Sequence, residues 1–137
     1  MVRFETDDCL MPDFNRYAVT SWIASVAAIH GKKAGEINYI FCSDTKILEY
    51  NNHFLKHDFY TDIITFDYSE GDQISGDIYI GLETVYSNAA QMGLQGKEEL
   101  MRVIIHGVLH LCGFKDKTPE DERIMHQQED TSLNLLN

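Results

Sequence analysis

The chain has 137 residues, of which 44% are hydrophobic and 24% are charged, and its formal net charge is −11. These values are typical of one globular domain, residues 1–137, and exclude a disordered chain or a membrane protein. The acidic balance disfavours broad attraction to a polyanion but does not exclude nucleic acid, because local charge matters at a site. No DNA partner is expected. Residues 1–8 lack the features of a secretory signal and the three cysteines are far apart, which predicts free thiols in a cytoplasmic protein.

The first half of the chain is predicted to contain two strands and two helices. A strand is expected at residues 2–6, and apolar residues at three- and four-residue spacing predict an amphipathic helix at 14–29. Alternating β-rich residues predict a second strand at 36–42. A short helix capped by Asp44 follows, through residue 51, and residues 53–60 are polar and predicted to form a loop.

The second half is predicted to contain two more strands and three helices. Strands are expected at 61–67 and 77–81, and a helix at 83–92. The next helix, 97–112, is long and nearly all apolar, and Thr118 is a good N-cap for a last helix. The sequence therefore predicts a single α+β domain with a small mixed sheet of about four strands, and the apolar helix should pack centrally on that sheet.

Two histidines lie four residues apart on the apolar helix, at His106 and His110. A single histidine there would usually be a packed core residue. Residues at this spacing share one helix face, and burying two imidazoles costs free energy unless each ring nitrogen has a partner. Gly113 lets the chain turn, and Asp116 can then return a third ligand. The spacing predicts a site for one metal ion held by His106, His110 and Asp116.

Three protein ligands leave a fourth position open, which is typical of a catalytic zinc site. Zinc lowers the pKa of water to about 7, so hydrolysis at a carbonyl or phosphoryl group is expected. The spacing also invites comparison with the metzincin peptidases, whose general base is a Glu directly after the first His. Here that position is Gly107, which disfavours a peptidase. Met125 lies downstream of the site and is expected in the core.

Three segments resemble the YbeY family of metal-dependent endoribonucleases. HGVLHLCGF (106–114) is similar to the family's H-G-x-L-H-L-x-G-Y signature, TDIITF (61–66) to its T-[DN]-V-L-S-F strand, and GDIYI (76–80) to its G-D-I-x-I strand. The resemblance covers most of the chain. It implies an α+β fold with one zinc ion in a cleft and single-stranded RNA as substrate. It also implies a role in maturation of small-subunit (16S) ribosomal RNA and in ribosome quality control, with the ribosome or its small subunit as partner.

The chain departs from the family pattern at two positions. The usual third ligand is a His where this chain has Asp116, and Asp also ligates zinc but makes the site less cationic. The family tends to carry an Arg, expected to bind phosphate, at the position of Leu55. Lys56, Lys115 and Lys117 lie near motif positions in the sequence, and we hypothesise that one of them substitutes for this Arg.

Thr65 takes the position of the family's Ser in the strand motif. Its hydroxyl is a candidate for orienting water or a ligand, although a β-branched strand residue explains it equally well. Two other functions stay open. A non-enzymatic ribosome assembly factor with a structural metal would fit Leu55 and the acidic charge, and a metallopeptidase would fit the ligand spacing but not Gly107.

Overall fold

The computed structural model describes residues 1–55 and 61–136, and these form one mixed four-stranded sheet with five helices. The strands are β1 (Val2–Thr6), β2 (Lys33–Cys42), β3 (Ile63–Asp67) and β4 (Gln73–Gly81). The helices are α1 (Arg16–Ile29), α2 (Asp44–Leu55), α3 (Leu82–Gln91), α4 (Gly96–Leu111) and α5 (Pro119–Asn134). None of the described helices is long and apolar enough to cross a membrane. The predicted α+β class with a mixed sheet is confirmed.

The strand order in the sheet is β1-β2-β4-β3. The pairs β1–β2 and β2–β4 are parallel, and β3 pairs antiparallel with β4. Strands β1 and β3 are therefore the two edges of the sheet. Because side chains alternate between the two faces of a strand, the sheet separates two apolar clusters. The larger one contains β-strand residues with α1 and α4, and a small one contains Cys42, Ile47 and Ile64 on the side of α2.

Helix α4 packs on the face of the sheet that carries the larger apolar cluster. The hydroxyl of the buried Tyr39 donates a hydrogen bond to the Ile104 carbonyl at 2.8 Å. A Cβ added at Gly107 would lie 2.9 Å from Ile78 Cδ1 and 3.3 Å from Ile63 Cδ1. Only a residue without a side chain allows this close approach. Gly107 therefore sets the distance between α4 and the strands β3 and β4, and it places the neighbouring His106 beside β3.

Several predicted boundaries shift in the structure. Strand β1 has the predicted bounds, whereas β2 and β4 begin earlier, at Lys33 and Gln73. Both longer strands contain a glycine, Gly35 or Gly76, that weakens the strand pattern in the sequence, yet Gly76 pairs with Ile37 across the ladder. The predicted loop at 53–60 was wrong in its first residues, because α2 continues to Leu55. Residues 56–60 lie outside the described residues.

The expected core residues and thiols agree with the structure. Met125 is buried in the main cluster. All three cysteines are free. Cys112 is the cap residue at the end of α4 and is partly buried against the core, and burial raises the pKa of its thiol to about 11. It therefore behaves as a packed thiol.

Candidate metal centre

The structure brings His106, His110 and Asp116 together. The two histidines lie one turn apart near the end of α4, and Gly113 adopts a φ of 108° that returns the chain toward them. Asp116 Oδ2 lies 3.3 Å from His106 Nε2 and 3.2 Å from His110 Nε2. One ligand atom from each residue lies within 4.8 Å of the others. Two imidazoles and one carboxylate converging in this way are donors suited to a zinc-type ion.

A second carboxylate, Glu129 of α5, orients His106. Its Oε2 lies 2.7 Å from His106 Nδ1, and its side chain is only 5% exposed. An ionised carboxylate only accepts hydrogen bonds, so Nδ1–H donates to Glu129, and Nε2, on the side of Asp116, is the nitrogen that can bind a metal. Arg102 Nη1 donates to the other oxygen of Glu129 at 2.9 Å. The hydrogen bonds from Arg102 to Glu129 and from His106 to Glu129 thus hold the His106 ring in the tautomer that a metal ligand needs.

The charges of these buried groups reinforce one another. Burial alone would raise the pKa of Glu129, but the hydrogen bonds from His106 and Arg102 lower it. Burial alone would lower the pKa of His106, but the hydrogen bond to Glu129 and the charges of Glu129 and Asp116 raise it. A carboxylate that stays ionised next to the ring favours a bound cation at the opposite nitrogen.

The three candidate ligands border an open cleft of about 540 Å³ between β3, α4 and α5. Among the described residues of its lining, Arg102 is the one Lys or Arg, and the carboxylates are Asp62, Asp67, Glu99, Asp116 and Glu129. Burial raises the pKa values of Asp62 and Glu99. Glu99 Oε1 is buried and has no hydrogen-bond partner among the described residues. The described cleft is therefore poor in positive charge unless it holds a cation.

The remaining candidates from the sequence fall in different places. Thr65 lines the cleft together with the histidines. Lys115 and Lys117 are exposed and are not among the described residues of the lining. Lys56 lies outside the described residues, and nothing is described of the Leu55 side chain. The lysine hypothesis thus gains no structural support from the two lysines that are described.

Sequence reasoning missed several residues of the cleft, among them Glu99, Arg102 and Glu129. Glu99 and Arg102 precede His106 by seven and four residues on α4, so helical spacing from the histidine could have found them. Glu129 gave no such signal, because it belongs to α5 and reaches His106 only through tertiary packing.

A centre of two histidines and one carboxylate beside an open cleft is typical of metal-dependent hydrolases. The sequence model of the family described as "Endoribonuclease YbeY" matches residues 4–137. The chain belongs to the YbeY family.

Relatives agree with this assignment, and a solved structure shares the fold. The chain is 55% identical over 136 residues to Endoribonuclease YbeY of Phocaeicola vulgatus, covering 99% of both chains. It is 54% identical over 132 residues to Endoribonuclease YbeY of Bacteroides thetaiotaomicron, covering 96% of both. A solution structure of a Thermotoga maritima protein, at 24% identity, superposes with a TM-score of 0.71 over 99% of this chain and 89% of that one. This last likeness concerns the fold alone.

Proposed function

We propose that this protein is a metal-dependent endoribonuclease that binds one zinc ion through His106, His110 and Asp116. The observation that supports this most strongly is the convergence of these three side chains at one end of an open cleft. Relatives of nearly equal length carry the name Endoribonuclease YbeY. The metallopeptidase and the assembly factor with a structural metal gain no support from these comparisons.

Different residues of the site orient the ligands, supply negative charge and position the attacking group. Glu129 holds the proton of His106 at Nδ1, which leaves Nε2 free to bind the metal. Asp116 adds a negative charge between the two imidazoles. When bound, zinc would supply a Lewis acid for the phosphoryl group and for water. Thr65 lines the same cleft, and its hydroxyl is a candidate for orienting the attacking group.

The proposed substrate is single-stranded RNA, and the proposed role is processing of small-subunit ribosomal RNA and ribosome quality control in the cytoplasm. The ribosome or its small subunit is the proposed partner. A single strand exposes its phosphates and base edges to an open cleft, whereas a duplex is recognised mostly across a wide groove.

Metal content and RNA cleavage, measured together, test this proposal. The wild type should hold one zinc per chain by elemental analysis and should cleave a single-stranded RNA. His106→Ala should lose the metal and at least about a hundredfold in cleavage, because a direct ligand contributes more than an outer partner. Asp116→His should keep the metal, because imidazole also ligates zinc.

His126→Ala is the matched control for the metal measurement. His126 borders the same cleft but is exposed. Its Nδ1 lies 3.5 Å from Glu129 Oε1, and it does not belong to the cluster of candidate ligands. It should keep its zinc. A His106→Ala protein with an unchanged zinc content would refute the site. A 2′,3′-cyclic phosphate on the products would show that a neighbouring 2′-hydroxyl, not water, makes the cut.

A further inference from the structure

Strand β3 forms one edge of the described sheet, called its free edge here because β4 is the one described strand that pairs with it. The Gly81 N–H donates to the Asp62 carbonyl at 3.0 Å, and the Tyr68 N–H donates to the Ser75 carbonyl at 2.9 Å. In an antiparallel pair every second residue bonds to the partner strand. The even-numbered residues of β3 therefore bond to β4. The odd-numbered residues direct their main-chain N–H and C=O groups away from the sheet, and they are Ile63, Thr65 and Asp67.

These outward groups have few partners within the described part of the chain. The Thr61 hydroxyl donates to the Ile63 carbonyl at 3.3 Å. No described group accepts a hydrogen bond from the N–H of Ile63 or Thr65. The Asp67 carboxylate accepts from Ser69 N–H at 2.8 Å, which occupies one of its oxygens locally. The N–H groups of Ile63 and Thr65 are about 6.8 Å apart, the advance of two strand residues.

The same edge forms a wall of the metal cleft. Ile63, Thr65 and Asp67 all line the cleft with His106 and His110. Ile64 lines it too, although its side chain is buried in the small cluster on the side of α2. The wall is therefore built from the edge of the strand as well as from one face. The close approach at Gly107 brings Ile63 next to the turn that carries His106.

The cleft offers a polyanion few other donors. Its single described Lys or Arg is Arg102, whose Nη1 donates to Glu129 and whose Nη2 donates to Asp130. Both terminal nitrogens are thus already engaged with carboxylates. Main-chain N–H groups carry no net charge to be neutralised by these carboxylates, and they bind phosphate oxygens in many nucleic-acid complexes.

We propose that a single strand of RNA binds along the free edge of β3, with its phosphate or ribose oxygens accepting hydrogen bonds from the N–H groups of Ile63 and Thr65. This proposal rests on the proposed function and names how the substrate is held. The spacing of the two N–H groups is close to the phosphate repeat of an extended strand. RNA bound along this edge would pass the metal ligands, and the bond to be cleaved would lie beside them.

The decisive comparison is Thr65→Pro against Thr6→Pro. Proline removes one N–H and is tolerated at an edge strand where that N–H faces away from the sheet. Thr6 occupies the equivalent position on β1, the opposite edge. There the odd-numbered residues bond to β2, since Asp7 N–H donates to the Phe41 carbonyl and Met1 accepts from Ile37 N–H. Both variants make the same chemical change, but only Thr65 lies at the cleft.

We expect Thr65→Pro to bind a short single-stranded RNA about tenfold more weakly than Thr6→Pro, as for the loss of one hydrogen bond to a charged group. Binding is measured by fluorescence anisotropy on zinc-loaded protein with a 2′-O-methyl oligonucleotide that resists cleavage. Zinc content should be equal in the two variants. Equal affinities in two folded, zinc-loaded variants would overturn the proposal.

A second measurement does not depend on the folding of either variant. RNA added to the wild type should slow amide exchange at Ile63 and Thr65 but not at Thr6, followed by NMR. Unchanged exchange at Thr65 with RNA bound would overturn the proposal, as would protection by an extended peptide and not by RNA. If the wild type cleaves RNA while Thr65 stays unprotected, only the binding mode is wrong. If a zinc-loaded wild type neither binds nor cleaves RNA, the proposed function fails as well.

Discussion

The two faces of helix α4 show how one segment separates stability from chemistry. One part of its surface is apolar and packs in the main core, with Ile104, Ile105 and Leu109 fully buried. The other face carries residues at three- and four-residue spacing that line the cleft: Glu99, Arg102, Val103, His106 and His110. The buried face holds the helix in place, and the polar face can then present two rigid imidazoles to a metal. Substitutions in the buried face should therefore lower the free energy of unfolding, whereas substitutions in the cleft face should mainly weaken metal binding.

The largest expected effect on stability comes from the packed face. Leu109→Ala removes a fully buried side chain and should lower the free energy of unfolding by about 2–5 kcal/mol. Urea unfolding of the metal-free proteins measures this. The matched variant His110→Ala lies one residue away on the cleft face and should change the same free energy by within about 1 kcal/mol while losing the metal. Equal destabilisation by both would contradict the division between the faces.

A smaller effect is expected where α5 supports the cleft face. Glu129→Gln removes the charge that orients His106, and it should weaken zinc binding by about 10–100-fold. Competition with a chromophoric chelator measures the affinity. Asp130→Asn is the control, because Asp130 accepts from the same Arg102 but is 66% exposed. It should change zinc affinity by less than about threefold. A loss as large as that of Glu129→Gln would show that Arg102, rather than Glu129, positions the histidine.

The features of the fold and of the metal site that could be predicted from the sequence are those whose residues lie close together along the chain. The helix that carries His106 and His110 and the return of Asp116 through Gly113 are local patterns, so the sequence predicted them. Glu129 is 23 residues from His106 and joins it only when α5 packs on α4, which no spacing in the sequence reveals. The same holds for the free edge of β3, because strand order is set by tertiary pairing.

The lysine hypothesis rests on nearness in sequence, which does not establish nearness in space. Lys115 and Lys117 flank Asp116, but adjacent residues direct their side chains differently, and neither lies in the described lining of the cleft. Strand lengths failed for another reason. Gly35 and Gly76 interrupt the β-rich pattern, yet both lie inside strands where the ladder continues past them.

The smallest expected effect is a change in how the free energy of unfolding depends on pH. It concerns Glu99, at the other end of the cleft face from the histidines. Burial, and then the charge of Asp62, raises the pKa of Glu99 above the ordinary value of 4.5. A raised carboxyl pKa gives the folded state stability that is fully present below the unfolded pKa and is lost as pH rises through the folded pKa.

Glu99→Gln removes this loss. Its free energy of unfolding should therefore rise relative to that of the wild type as the pH increases upward from 4.5, with the difference levelling off above the folded pKa. Urea unfolding at a series of pH values measures the difference. A difference that is constant with pH would mean that Glu99 titrates as it does in the unfolded chain.

The most direct test of the metal centre is an X-ray absorption spectrum of the zinc-loaded protein. Two imidazoles and one carboxylate should give only nitrogen and oxygen neighbours at about 2.0–2.2 Å, with the outer-shell scattering of two histidine rings. His110→Ala should lose this spectrum together with its zinc. A sulfur neighbour at about 2.3 Å, as from Cys112, or a zinc spectrum that survives in His110→Ala would contradict the assignment of His106, His110 and Asp116 as the ligands.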